Sequence, residues 1–177
     1  SEAQILADLG HAASAAKAMR DAAAGFPDGS DEARRAQLLA RFFGMVGSPA
    51  PAALAPSAAL PSGQVSAILF YDRNLAASDE ALAALGKVSA NLRSYGITRV
   101  PADTQQEAAE LTAIATHRAA KAIPFPTSVG GPDLYRALGV AKAPALIGID
   151  RQGKVARVLL GYSKEAFDEF RAALAKL

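Results

Sequence analysis

Apolar positions along this chain repeat with two periods. From Glu2 to about Phe26 they fall at Ile5, Leu9, Ala12, Ala16, Met19 and Ala23, alternately four and three residues apart, which predicts a helix with a narrow apolar seam. Pro27-Asp28-Gly29-Ser30 reads as a turn. Ser30 can cap a second helix whose first residues, Asp31 and Glu32, suit the positive end of its dipole. Leu38, Leu39, Phe42, Phe43 and Val46 then line one face. Two helices joined by so short a turn predict an antiparallel hairpin.

From Gly47 to Gln64 the composition shifts to Pro, Ala, Ser and Gly, and Pro49, Pro51, Pro56 and Pro61 forbid a continuous helix. The expected organisation is a helical hairpin over residues 1–46, a linker over 47–64 and a domain over 65–177. In that last part the period shortens. Val65 to Tyr71 is an apolar run of strand length, read as a buried strand. Ser78-Asp79-Glu80 is expected to open a helix carrying Leu82, Leu85, Val88 and Leu92 to about Tyr95, with Gly96 as its cap. Ile97 to Val100 reads as a second strand, and Thr104-Gln105-Gln106-Glu107 as the capping box of a helix with Leu111, Ile114 and Ala115.

Ile123-Pro124-Phe125-Pro126 is expected to be a loop, followed by a short helix around Asp133 to Leu138 that ends at Gly139. Leu146 to Ile149 and Val155 to Leu160 are strands joined through Arg151-Gln152-Gly153-Lys154, where Gly supplies the positive φ of a hairpin turn. A last helix follows Gly161 and Ser163, with Phe167, Phe170, Leu174 and Leu177 on one side. The order is βαβα followed by ββα.

That order, together with the Pro-Phe-Pro segment, the Leu-Gly-Val ending of the short helix, Pro144 before a strand that ends in Asp150, the Gln-Gly-Lys turn and Gly161-Tyr162, resembles the bacterial thioredoxin-like oxidoreductases of the cytochrome c maturation type. The resemblance runs from Val65 onward. It implies a thioredoxin-like α/β fold with a mixed central sheet, preceded here by the N-terminal helical hairpin. It also implies that Pro144 follows a cis peptide bond and sets the backbone of Ala143, Pro144 and Ala145 where partner chains pair. The active-site turn of the family falls on Asp72, Arg73, Asn74, Leu75 and Ser78, with Leu75 and Ser78 in place of its two cysteines. An extracytoplasmic, periplasmic location follows from the same likeness, and a cytoplasmic one stays open.

Composition changes this picture in one decisive respect. The 177 residues contain no cysteine, so thiol–disulfide exchange, disulfides and thiolate metal sites are excluded for the chain as written. The fold is expected without its electron chemistry, as a binding or scaffold module for a protein partner, taken as an extended segment. Two alternatives are an oxidoreductase whose cysteines are substituted here and an assembly component of a secretion or conjugation apparatus.

Other chemistry has little support. Ser78 lacks a base that would make it a nucleophile and is expected to be a helix N-cap. His11 and His117 have no ligand at i+3 or i+4, so no metal site is expected. Arg73 could hold a carboxylate or phosphate, or pair with Asp72 in a solvated loop. The glycines form no phosphate-cradling loop, and no cofactor is expected. A net charge of +2 without a basic block argues against nucleic acid, and no apolar run approaches the roughly 18 residues of a membrane span. Ser1 in place of Met is read as a processed or trimmed start. The Ala-rich seam of the first helix could serve homo-oligomerisation or pack on its own domain.

Overall fold

The computed structural model describes residues 11–54, 63–88, 92–99 and 104–177, with side chains from 108 onward in the last segment. In chain order these hold α1 (Ala12–Ala24), α2 (Asp31–Gly44), a 3-10 turn at Ala52–Leu54, β1 (Ser66–Tyr71), α3 (Ala76–Gly86), β2 (Arg93–Arg99), α4 (Thr104–Ala120), β3 (Thr127–Gly130), α5 (Pro132–Leu138), β4 (Ala145–Ile149), β5 (Val155–Leu160) and α6 (Lys164–Leu174).

Every residue of β1 is buried, Ser66 included, as the otherwise apolar run requires of a strand covered on both faces. Its alternate side chains divide the interior. Ile68 and Phe70 enter one apolar cluster with Phe42, Phe43, Leu54, Leu138 and Ile147, while Ala67, Leu69 and Tyr71 enter another with Leu82, Leu85, Phe125, Phe167 and Phe170. β1 lies at the centre of a five-stranded sheet of order β3-β2-β1-β4-β5. β2 and β3 run parallel to β1, and β4 and β5 antiparallel. The β4–β5 turn is built as expected: Gly153 has φ 76° and the Asp150 carboxylate accepts the backbone N–H of Gln152 and Lys154.

The helical hairpin forms, and the Ser30 hydroxyl caps α2 by accepting the Ala33 N–H at 3.1 Å. Ala15 and Ala16 are buried in the first cluster with Phe42 and Phe43, so the Ala seam packs on the molecule's own core. Residues 1–10 of the expected first helix lie outside the described residues. The stretch after α2 is bound to the sheet: Gly47 donates to the Val155 carbonyl at 2.8 Å, Val155 to that of Ser48 at 2.9 Å, and Ala50 to that of Gly153 at 2.8 Å. Leu54 is fully buried among the same apolar side chains as the hairpin. The remainder of the expected linker, 55–62, lies outside the described residues.

Three local expectations are corrected. The helix that carries Leu82 and Leu85 stops at Gly86, and Tyr95 and Gly96 belong to β2, which is longer than expected. Gly96 is a point of close approach and not a cap: a Cβ there would lie 3.0 Å from Thr127 Cγ2 and 3.1 Å from Tyr71 Cε1. Residues 127–130, expected between the Pro-Phe-Pro segment and the short helix without a strand of their own, form the edge strand β3 through their pairing with Gly96 to Arg99. Val100 and the side chains of the Thr104–Glu107 capping box lie outside the described residues. No helix among the described residues is long and apolar enough to cross a membrane.

Candidate functional site

The chain leaves β1 at Tyr71 and turns at once into α3, and nearly every polar group of that turn is engaged. The Asp72 carboxylate accepts the Asn74 N–H at 2.9 Å, its carbonyl accepts the Leu75 N–H at 3.0 Å, and its own N–H donates to the Ser78 hydroxyl at 3.0 Å. Asp residues that bond the backbone two positions on favour such turns. Leu75, in extended conformation, is the N-cap of α3, while Ser78 sits inside the first turn, fully buried. The expected capping role of Ser78 is therefore corrected. Leu has no side-chain acceptor to cap with, and the serine hydroxyl is spent on the N–H of Asp72. Leu75 is 42% exposed, so the turn presents an apolar side chain at the helix start.

Arg73 is not free for a ligand, nor is it paired with Asp72. Its Nε and Nη2 donate to the two carboxylate oxygens of Glu110 on α4, each at 2.9 Å, and Nη1 reaches the Asn74 side chain at 3.3 Å. This fork raises the pKa of Arg73 and lowers that of Glu110, with burial opposing both. A second clamp lies behind it. Asp79, in the first turn of α3, bonds His117 Nε2 at 2.9 Å and Lys121 Nζ at 2.5 Å. Burial works to raise the Asp79 pKa, but the hydrogen bonds and charges of Lys121 and His117 outweigh it and hold the carboxyl low. His117 thus serves structure, and its ring stacks on Tyr71 at 6.2 Å between centroids. His11 is exposed at the start of α1.

Tyr71 OH and His117 Nδ1 are buried without a hydrogen-bond partner among the described residues. Burial raises the Tyr71 pKa; the Thr127 side chain, which crowds the same spot over Gly96, opposes the rise without a bond of good geometry. No set of residues able to hold a metal occurs among the described residues.

The second part of the site comes from the other side of the sheet. Ala145 begins β4 opposite Phe70, so the two residues before it run back past the end of β1 toward the Asp72 turn. The Ala143–Pro144 peptide is cis, Pro144 is buried, and its carbonyl accepts the Gly161 N–H at 2.8 Å. No backbone hydrogen bond reaches Ala143 among the described residues. Ala143 itself is partly exposed, and its backbone is an open edge beside the turn. Of the residues singled out by sequence, Asp72 to Ser78 and Ala143 to Ala145 are brought to one end of the sheet. Glu110, Asp79, His117 and Lys121, which fix that end, carried no sequence signal, because each pair is separated by more than 30 residues and depends on α4 packing beside α3.

No model of a known protein family matches the chain, and no curated protein matches it. Solved structures do. A candidate protein disulfide isomerase from Bacteroides thetaiotaomicron superposes with a TM-score of 0.58 at 16% identity, covering 74% of this chain and 88% of that one. The fold is thioredoxin-like. A secreted Mycobacterium tuberculosis disulfide oxidoreductase homologous to E. coli DsbE superposes on the same thioredoxin-like frame, with a TM-score of 0.52 at 17% identity over 66% of this chain and 84% of that one. A thiol-disulfide isomerase from Corynebacterium glutamicum gives a TM-score of 0.51 at 17% identity, over 64% and 81%. At such identities the likeness is one of fold. The thioredoxin-like chain described here has no cysteine to do what those names describe.

Proposed function

We propose that this thioredoxin-like chain is a redox-inactive protein-binding module of the bacterial cell envelope, which holds an extended partner segment against Ala143, Pro144 and Ala145 beside the Asp72–Ser78 turn. The observation that carries the reading is the pairing of an open backbone edge at Ala143 with a turn whose two helix-start positions are Leu75 and Ser78. The first offers strand-like pairing. The second offers an exposed apolar side chain where redox chemistry would need a thiol. The turn and the start of α3 are also tied to α4 through Arg73–Glu110 and Asp79–Lys121, so a segment would meet a preformed surface.

The envelope location is supported by the secreted Mycobacterium tuberculosis neighbour and by the resemblance in sequence. The experiment is capture of envelope proteins from the source organism on the immobilised chain, compared with Ala143→Tyr, whose ring would fill the space beside the turn. Retention by the original chain and loss by the variant, with an unchanged thermal melt, is the expected result. Equal retention by both would refute the reading.

A further inference from the structure

Strand register aligns three residues in one row at the end of the sheet that holds the site. β2 pairs with β1 as Thr98↔Tyr71, so one step further sets Arg99 beside Asp72; β4 pairs as Ala145↔Phe70, so two steps back set Ala143 on the other side of Asp72. With strands about 4.8 Å apart, the Cα atoms of Arg99 and Ala143 lie roughly 10 Å from each other. Gly130 of the edge strand pairs with Arg99 on its far side.

Arg99 and Lys142 together outnumber Asp72, the one carboxylate of the row. The Asp72 carboxylate accepts the Asn74 N–H on its own loop, and Glu110 is paired with Arg73. Asp133, the carboxylate on nearby α5, pairs with Arg136. Arg99 is exposed, its guanidinium 5.9 Å from the centroid of the Tyr135 ring, and Tyr135 is fixed in turn by donating its hydroxyl hydrogen to the Ile97 carbonyl at 3.2 Å. A cation held over an aromatic face keeps the edge of its donor fork available. Among the described residues no carboxylate pairs with Arg99, and none pairs with exposed Lys142, the neighbour of Ala143. Among the described residues, two cations without a carboxylate ion-pair partner flank the open backbone.

We propose that this face selects an acidic extended segment, whose backbone pairs at Ala143 while its carboxylate side chains reach Arg99 and Lys142. The proposal rests on the docking role of Ala143 argued above and adds the chemistry of the partner. An extended chain places side chains of one face about 7 Å apart, so carboxylates at alternate positions match two long cationic side chains on either side of Ala143. Charge of this kind also steers encounter and makes binding sensitive to salt.

The test titrates the full chain, labelled for NMR, with three short acetylated peptides of alternating Val and Glu, Val and Gln, or Val and Lys. The Glu peptide is expected to shift the amides of Ala143 and Arg99 and to bind about tenfold more tightly than the Gln peptide at low salt. Arg99→Gln and Lys142→Gln, both at exposed positions, should each cut the Glu peptide's affinity several-fold and leave the Gln peptide's unchanged. Equal affinity for the Glu and Gln peptides, or a preference for Lys, overturns the acidic selection while sparing the docking surface. An Ala143 amide that none of the three peptides moves overturns both.

Discussion

Asp72 and Ser78 hold each other across the first turn of α3: the buried Ser78 hydroxyl accepts the Asp72 N–H at 3.0 Å. That single bond ties the end of the central strand to the helix that follows it, and it fixes the loop on which Leu75 is presented. Ser78→Ala leaves a partly buried N–H without an acceptor, at a cost of about 1–3 kcal/mol. Urea unfolding of the variant measures it, and a change below a few tenths of a kcal/mol would mean that water replaces the hydroxyl.

Acid should loosen the same region. The Arg73 fork holds Glu110 below its ordinary carboxylate value, and Lys121 and His117 hold Asp79 below its own against the pull of burial. A group with a lowered folded pKa stabilises the native state above its unfolded value, and that contribution is lost as pH falls through the folded value. The urea midpoint should therefore drop between about pH 5 and about pH 3, and Glu110→Gln should flatten part of the drop. A midpoint of Glu110→Gln that falls as steeply as that of the original chain would show that the fork contributes nothing.

A thiol placed at the start of α3 should be activated by the fold even though the natural residue cannot be. Leu75 caps an 11-residue helix whose free N–H groups favour negative charge, so the thiol of Leu75→Cys should titrate below the ordinary value of about 8.5. With no other cysteine in the chain, the pH dependence of iodoacetamide alkylation reports this group alone. Titration at or above that value would mean that the turn no longer presents the helix end.

Leu54 tests how firmly the stretch after the hairpin belongs to the core. It is fully exposed to no solvent at all, packed with Phe42, Phe43 and Ile149, although it lies in a segment whose prolines read as linker. Leu54→Ala should cost about 2–5 kcal/mol, the range for a buried Leu whose cavity cannot collapse. A thermal melt within a degree or two of the original would place that stretch outside the cooperative unit.

Much of this protein is set by signals that act over a few residues. The apolar run Ala67 to Tyr71 of β1, the Ser30 cap, the Gly153 turn and the Gly139 end of α5 specify local conformation directly, and the lack of cysteine settles that this chain exchanges no disulfide. The tertiary structure decided what depends on partners far away in sequence. Thr127 to Gly130 is a strand only because β2 lies beside it, Gly96 is small because Tyr71 and Thr127 crowd it, and Ser78 leaves the capping role because Asp72 needs its oxygen. Arg73 finds Glu110, and His117 finds Asp79, across more than 30 residues of chain. Periodicity and capping preferences report how a segment satisfies its own backbone, and they are silent about which distant side chain will complete a buried hydrogen bond.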